Sequence, residues 1–342
     1  MRAIIHIGMH KTGMTSVKDH CRKHRDALLG DGVLFPTTLR GICKKLGHEA
    51  TDLAGLEEGF AMELAQIPDG GAVYIGSENF FDLEHAEKER LLGFLDRFHL
   101  DVSVLCYLRP QVRQAVSYYQ QHVIECFRRK KRPANSGVVE HFDALMNKGY
   151  YRYSHVLDSW SRYLPRGSLC VKPYGADVLH GGCTVRDAAS IVGFGVSDAD
   201  IVKRQVSFSA EKLYLLETFN AWTGRLGRCL PRKIRKEVMR ILARETDGLP
   251  LDISREEKLH IARACADDNE RLAAKYLSPE AADMFLDQDV DSVVGKVPAD
   301  VRTEDVARLF GRLNAEIPAL AKWKPRFFRS LRRRFSRSPA PR

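Results

Sequence analysis

Lys11 stands inside a short loop bounded by Gly8 and Gly13, and these residue types in this order suit the holding of an anion. The loop follows the β-branched, apolar run Ala3 to Ile7, which reads as a buried parallel strand. Thr15 and Ser16 follow it as residues able to cap a helix. A strand, a glycine-bounded loop and a helix start together place backbone N–H groups around a phosphate-sized anion. In a nucleoside-triphosphatase loop a lysine directly follows the second glycine. Here that position is Met14, which can neither pair with a β/γ-phosphate nor help to hold Mg²⁺. The amides of this loop are expected to cradle one phosphate while Lys11 reaches the group beyond it.

Two further polar groups stand at predicted strand ends. Ser77-Glu78-Asn79 follows Ala72 to Gly76, and Arg109-Pro110 follows Val102 to Leu108. A helix is expected after Pro110, carrying Ser117 eight residues beyond Arg109 and then His122. A fourth strand is expected over 168–173 and a helix over 185–192, closed by Gly193. Between these lie predicted helices over 15–29, 53–67, 85–98 and 153–164, and an extended piece over 33–36. Strands and helices alternating over 3–194 imply a parallel sheet covered on both faces. In such sheets ligands bind beyond the carboxyl ends of the strands, where the loop, Glu78 and Arg109 are all expected. From Ala210 onward the pattern is helical, over 210–223, 232–244, 254–276 and 303–313. Ser254 and Glu257 form a capping-box pair for the third of these.

The net charge of +10 is a local property. Nine Lys/Arg and no Asp/Glu lie between Lys322 and Arg342, which leaves +1 for the rest of the chain. This argues against a nucleic-acid partner for the body. Trp323, Phe327, Phe328, Leu331 and Phe335 alternate with arginines in that tail, a pattern suited to peripheral membrane contact. The basic run 128–132 reads as an exposed loop that would attract anions. The eight cysteines form no C-x-x-C pair or metal-binding spacing and are expected as reduced thiols. No signal peptide and no apolar run of about 18 residues is visible. The expectation is a cytoplasmic protein, with the inner membrane face as a site of peripheral contact.

His10-Lys11-Thr12-Gly13 with Thr15-Ser16 resembles the 5′-phosphosulfate loop of sulfotransferases that use 3′-phosphoadenosine 5′-phosphosulfate, commonly H-K-T-G-T-T-S in bacterial members. Tyr107-Leu108-Arg109-Pro110, with Ser117 eight residues after Arg109, looks like that family's 3′-phosphate site. Weaker likenesses follow in order at 32–36, 74–79, 153–160 and 268–272. The resemblance implies an α/β, P-loop-type three-layer fold with a central parallel sheet and a C-terminal helical cap at about 208–320. The whole would be one domain over 1–320, followed by a basic tail over 321–342.

It also implies transfer of a sulfuryl group from that donor to a hydroxyl, on a carbohydrate or glycolipid acceptor, without a metal. His10, Lys11, Thr12, Gly13, Thr15, Ser16, Arg109 and Ser117 would bind the donor, and Arg204 stands where relatives often keep an arginine near it. Lys11 would stabilise negative charge on the bridging oxygen. Glu78 is the first candidate for general base, with His10, His48 and His122 as rivals. Met14 departs from the family's usual Thr, so the expected effect is weaker donor binding at most. The alternatives are a non-catalytic relative that binds membrane surfaces and, further off, an ATP-dependent kinase.

Overall fold

The structure is a computed structural model and describes residues 1–46, 53–129, 137–197, 201, 208–226, 230–244 and 248–335. Along the chain, β1 (Arg2–His6) leads to α1 (Met14–Lys23), α2 (Arg25–Gly30) and β2 (Val33–Leu34). Next come α3 (Ile42–Leu46), α4 (Glu57–Leu64), β3 (Ala72–Gly76), α5 (His85–Asp96) and β4 (Asp101–Leu108). Then follow α6 (Gln111–Arg129), α7 (Val138–Met146), α8 (Tyr153–Ser161), β5 (Leu169–Pro173) and α9 (Thr184–Val192). The last third is helical: α10 (Ala210–Leu226), α11 (Arg232–Arg244), α12 (Arg255–Tyr276), α13 (Pro279–Asp287), α14 (Thr303–Glu316) and α15 (Lys324–Phe335).

The five strands form one parallel sheet in the order β2-β3-β1-β4-β5. Because β1 is central and its neighbours run the same way, the strand ends after His6, Gly76 and Leu108 share one edge. Side chains alternate across the sheet, and both sets are buried. Ile4, Tyr74, Leu105 and Tyr107 pack with Val17 and Cys21 of α1 and Val185, Ala188 and Val192 of α9. Ala3, Ile5, Val73, Ile75, Val104 and Cys106 point the other way and are equally buried. The α/β class with a parallel sheet therefore holds, in a form compatible with three layers.

The chain divides into two compact units. The first contains the sheet and comprises Met1–Gln111, Lys148–Arg204 and Cys265–Gln288. The second is helical and comprises Val112–Asn147, Gln205–Ala264 and Asp289–Arg342. The segment expected as a helical cap is thus split, since 265–288 belongs to the sheet unit while 112–147 joins the helical one.

Several sequence expectations change in detail. The helix expected over 15–29 breaks at His24, whose φ of −113° and ψ of 29° leave the helical range. The helix expected over 53–67 shortens to α4. Helix α13 was not expected, although Ser278-Pro279 marks its start; Ser278 Oγ accepts from Ala281 N at 3.4 Å. The capping box at α12 forms as expected: Ser254 N donates to Glu257 at 2.8 Å and Glu257 N donates to Ser254 Oγ at 3.2 Å.

Part of the basic tail is folded. Residues 324–335 form α15, and Phe327 and Leu331, one helical turn apart, are fully buried in the second unit. The Phe327 ring stacks on Phe310 at 4.2 Å between centroids and lies 5.2 Å from Phe219. Core packing has claimed Phe327 and Leu331, while Trp323 and Phe328 are half-buried. No helix among the described residues is long and apolar enough to cross a membrane. Phe327→Ala should cost about 3–5 kcal/mol in the second unit's stability, measured by urea unfolding. A tail unattached to the core would leave the transition unmoved.

Candidate anion-binding site

The loop between β1 and α1 is built so that only certain residues fit. A Cβ on Gly8 would stand 2.7 Å from His6 Nε2, and one on Gly13 would stand 2.4 Å from Thr184 Oγ1. Gly13 also has φ of 83°, a conformation natural to glycine. Lys11 adopts φ of 70°, which is uncommon for a side-chain-bearing residue and costs on the order of 1–3 kcal/mol. Buried Thr12 donates its hydroxyl to Met9 O at 2.7 Å, and Thr184 Oγ1 donates to Thr12 O at 3.4 Å. The Thr12 hydroxyl thus shapes the loop from within.

Helix α1 begins after Gly13 without a side-chain cap. This corrects the expectation that Thr15 or Ser16 caps it: both lie inside the helix. The Ser16 and Val17 N–H groups both donate to Gly13 O, at 2.9 and 3.2 Å. The amides of Gly13, Met14 and Thr15 are the ones here that an anion could use, at the positive end of the helix. The Met14 side chain is buried. It packs inward beside Gly8 and leaves its amide at the helix start.

Lys11 and Arg109 follow the adjacent strands β1 and β4 at the same sheet edge. Burial, and then the positive charge of Arg109, push the Lys11 ammonium down to about 8. Arg109 follows β4, and its guanidinium lies 5.8 Å from the ring centre of Tyr174, which follows β5. Register explains this meeting, because Leu108 pairs with Pro173. The arrangement joins two cations to an uncapped helix start, which suits a ligand with more than one negative charge.

Glu78 is placed beside the same loop. Its carboxylate accepts from Thr15 Oγ1 at 3.1 Å and forms an ion pair with Lys18. Burial alone would raise its pKa; the bond and charge from Lys18, with the Thr15 bond, outweigh that and hold it below the usual range. Glu78 is therefore ionised, and it ties the end of β3 to the first turns of α1.

A layer of buried contacts braces these groups. Tyr153 donates its hydroxyl to Arg109 O at 3.0 Å. Gln111 and Asn269 exchange amide bonds of 2.7 and 3.2 Å. Asp268 accepts from Ser154 N at 2.9 Å and Ser154 Oγ at 2.5 Å, satisfying the start of α8. Tyr153, Ser154, Asp268 and Asn269 are residues of the weaker sequence likenesses, and their visible work is to secure the β4–α6 junction and α8. On the other face Asp187 accepts from Tyr107, Lys172 and the His180 amide at 2.6, 2.6 and 2.9 Å, fixing α9 against β4 and β5.

Beneath the loop, burial holds the pKa of His6 at about 3. Its Nδ1 lies 2.5 Å from the hydroxyl of buried Tyr74, which stays protonated and donates. The Nε2 of the neutral ring then carries the proton, facing Gly8.

Of the residues singled out from sequence, His10, Lys11, Thr12, Gly13, Thr15, Ser16, Glu78 and Arg109 belong to the sheet unit. Ser117 and His122 fall in the helical unit, where the His122 ring lies 4.7 Å from that of His141. Arg204 and His48 lie outside the described residues. Sequence reasoning missed Lys18, His6, Tyr174 and Thr184. His6 had a signal, as a polar residue in an apolar strand; the others gave none, because their partners are distant in the chain. Among the described residues no group of three His, Cys, Asp or Glu is placed to hold a metal ion.

The chain matches no protein-family model, and no curated protein matches it at a significant level.

Two measurements test the geometry. Gly13→Ala should lose anion binding and destabilise the sheet unit by about 2 kcal/mol or more, through backbone strain and the Thr184 contact. Sulfate does not titrate near neutrality, so its affinity reports the Lys11 charge. Titration calorimetry should show binding constant below pH 8 and weakening above it, by up to about tenfold per pH unit, as the free ammonium loses its proton. Lys11→Met should bind more weakly with no such fall.

Proposed function

We propose that the chain is a sulfotransferase that moves a sulfuryl group from 3′-phosphoadenosine 5′-phosphosulfate to a hydroxyl of a carbohydrate or glycolipid acceptor. One observation carries this reading: Lys11, inside a glycine-bounded loop, shares the sheet edge with Arg109 beside an uncapped helix start. An ATP-dependent kinase is less well supported, because the position of the triphosphatase lysine is the buried Met14. The donor supplies an activated sulfuryl group on a 5′-phosphate and a second, 3′-phosphate charge.

The loop amides and the start of α1 would receive the 5′-phosphosulfate. Lys11 would stabilise the negative charge that develops on the bridging oxygen as the S–O bond breaks. Arg109 would bind the 3′-phosphate through its planar fork. For Ser117 a part in donor binding is implied by the sequence resemblance alone. The acceptor oxygen forms the new bond to sulfur and gives up its proton to a base. Glu78 is an ionised carboxylate beside the loop, and its pairing with Lys18 makes it a weak base that gains strength as that pair loosens.

The test is binding of adenosine 3′,5′-bisphosphate by calorimetry, followed by a sulfuryl-transfer screen with labelled donor. Absence of binding ends the proposal. Lys11→Ala and Arg109→Ala should each weaken the bisphosphate by about tenfold or more. Glu78→Gln should keep bisphosphate binding and lower turnover by about 10²- to 10⁴-fold. Full turnover in that variant would move the base to another group, His10 first.

A further inference from the structure

The helical unit carries a second basic surface, distinct from the tail read in the sequence. Helix α11 exposes Arg232, Lys233, Lys236, Arg240 and Arg244 on one side, while Val238, Met239, Ile241 and Leu242 are buried on the other. Arg235, between the two sides, donates to Phe127 O at 3.0 Å and Arg128 O at 2.9 Å. This bond pins the first turns of α11 against the carboxyl end of α6, where Arg128 and Arg129 are exposed. Seven exposed cations therefore lie on two adjoining helix segments. The acids on these two helix segments are Glu125, paired with Arg129, and Glu237, paired with Arg240.

Helix stability does not account for this charge. The first turn of α11 has no acid and starts with Arg232 and Lys233, at the helix end where the dipole disfavours cations. Arg232, Lys236, Arg240 and Arg244 are spaced four apart, so successive like charges are neighbours along the helix. A sequence that sets cations against local preference at so many positions is serving something outside the helix.

We propose that this face adsorbs to a membrane surface rich in anionic phospholipid. Adsorption would be by charge alone, because the apolar side of α11 is spent in the core and cannot insert between lipid chains. Helix α11 contains no aromatic residue, so the face lacks the stacking platforms that favour single-stranded nucleic acids. A layer of lipid phosphates asks only for positive charge over an area. The inference stands independently of the sulfuryl-transfer reading.

Co-sedimentation of the full chain with vesicles tests it. Vesicles containing about one third phosphatidylserine should bind at ~0.1 M salt and release at ~0.5 M, while pure phosphatidylcholine should not bind. Arg232→Glu/Lys233→Glu/Lys236→Glu should weaken binding by about a hundredfold or more. Arg128→Glu/Arg129→Glu provides a second perturbation of the same face, with an expected loss of about tenfold or more. Lys322→Glu/Lys324→Glu, at the start of α15, should retain most of the binding. Equal binding to both vesicle types, or full binding by either variant of the α11–α6 face, overturns the proposal. So does a wild-type chain that binds RNA or heparin while ignoring the anionic vesicles.

Discussion

Two positive charges that follow neighbouring strands of a parallel sheet and feel one another are the constraint on which the site depends. Lys11 is partly buried and feels the charge of Arg109, and both effects disfavour its ammonium form. An anion entering beside them would favour the charged form of Lys11. The uncapped start of α1 adds to the same field, since its first amides point where a capping oxygen would otherwise sit. The opposing charge of Glu78 does not cancel this field, because its ion pair with Lys18 already balances it.

Enforcement comes from elements distant in sequence. Helix α9 presses Thr184 against Gly13, and α9 is itself fastened through Asp187 to Tyr107 of β4 and Lys172 of β5. Tyr153 of α8 holds the Arg109 carbonyl, and Asp268 satisfies the first turn of α8. Every one of these bonds is short-range and directional. Small errors in any of them would propagate to this edge, where each buried polar group needs its partner.

The helical unit follows a different logic. Its aromatic cluster of Phe219, Phe310 and Phe327 draws the last helix inward, with Lys324 and Arg329 left exposed. Core packing thereby changes the meaning of a charge run. Cations that read as a detached tail lie partly on a folded helix, and a separate set on α11 forms the more continuous surface.

Strand identity, the parallel class and the residues of the loop were legible in the sequence, because each depends on local pattern. A β-branched run, a pair of glycines and an arginine before a proline carry their information within a few positions. The sequence likewise held the capping box of α12 and the glycine that closes α9. What it could not show were pairings across long separations: Lys18 with Glu78, Arg109 with Tyr174, Thr184 with Gly13 and Phe327 with Phe310. Those depend on which strands lie side by side and on which helix face is buried, and neither is written in any single stretch of chain. The residue types able to hold an anion were thus determined by sequence. Only the tertiary structure decided that Arg109 lies against Tyr174, that Glu78 is already paired, and that Phe327 and Leu331 are core, because the energy of each depends on neighbours the chain brings together by folding.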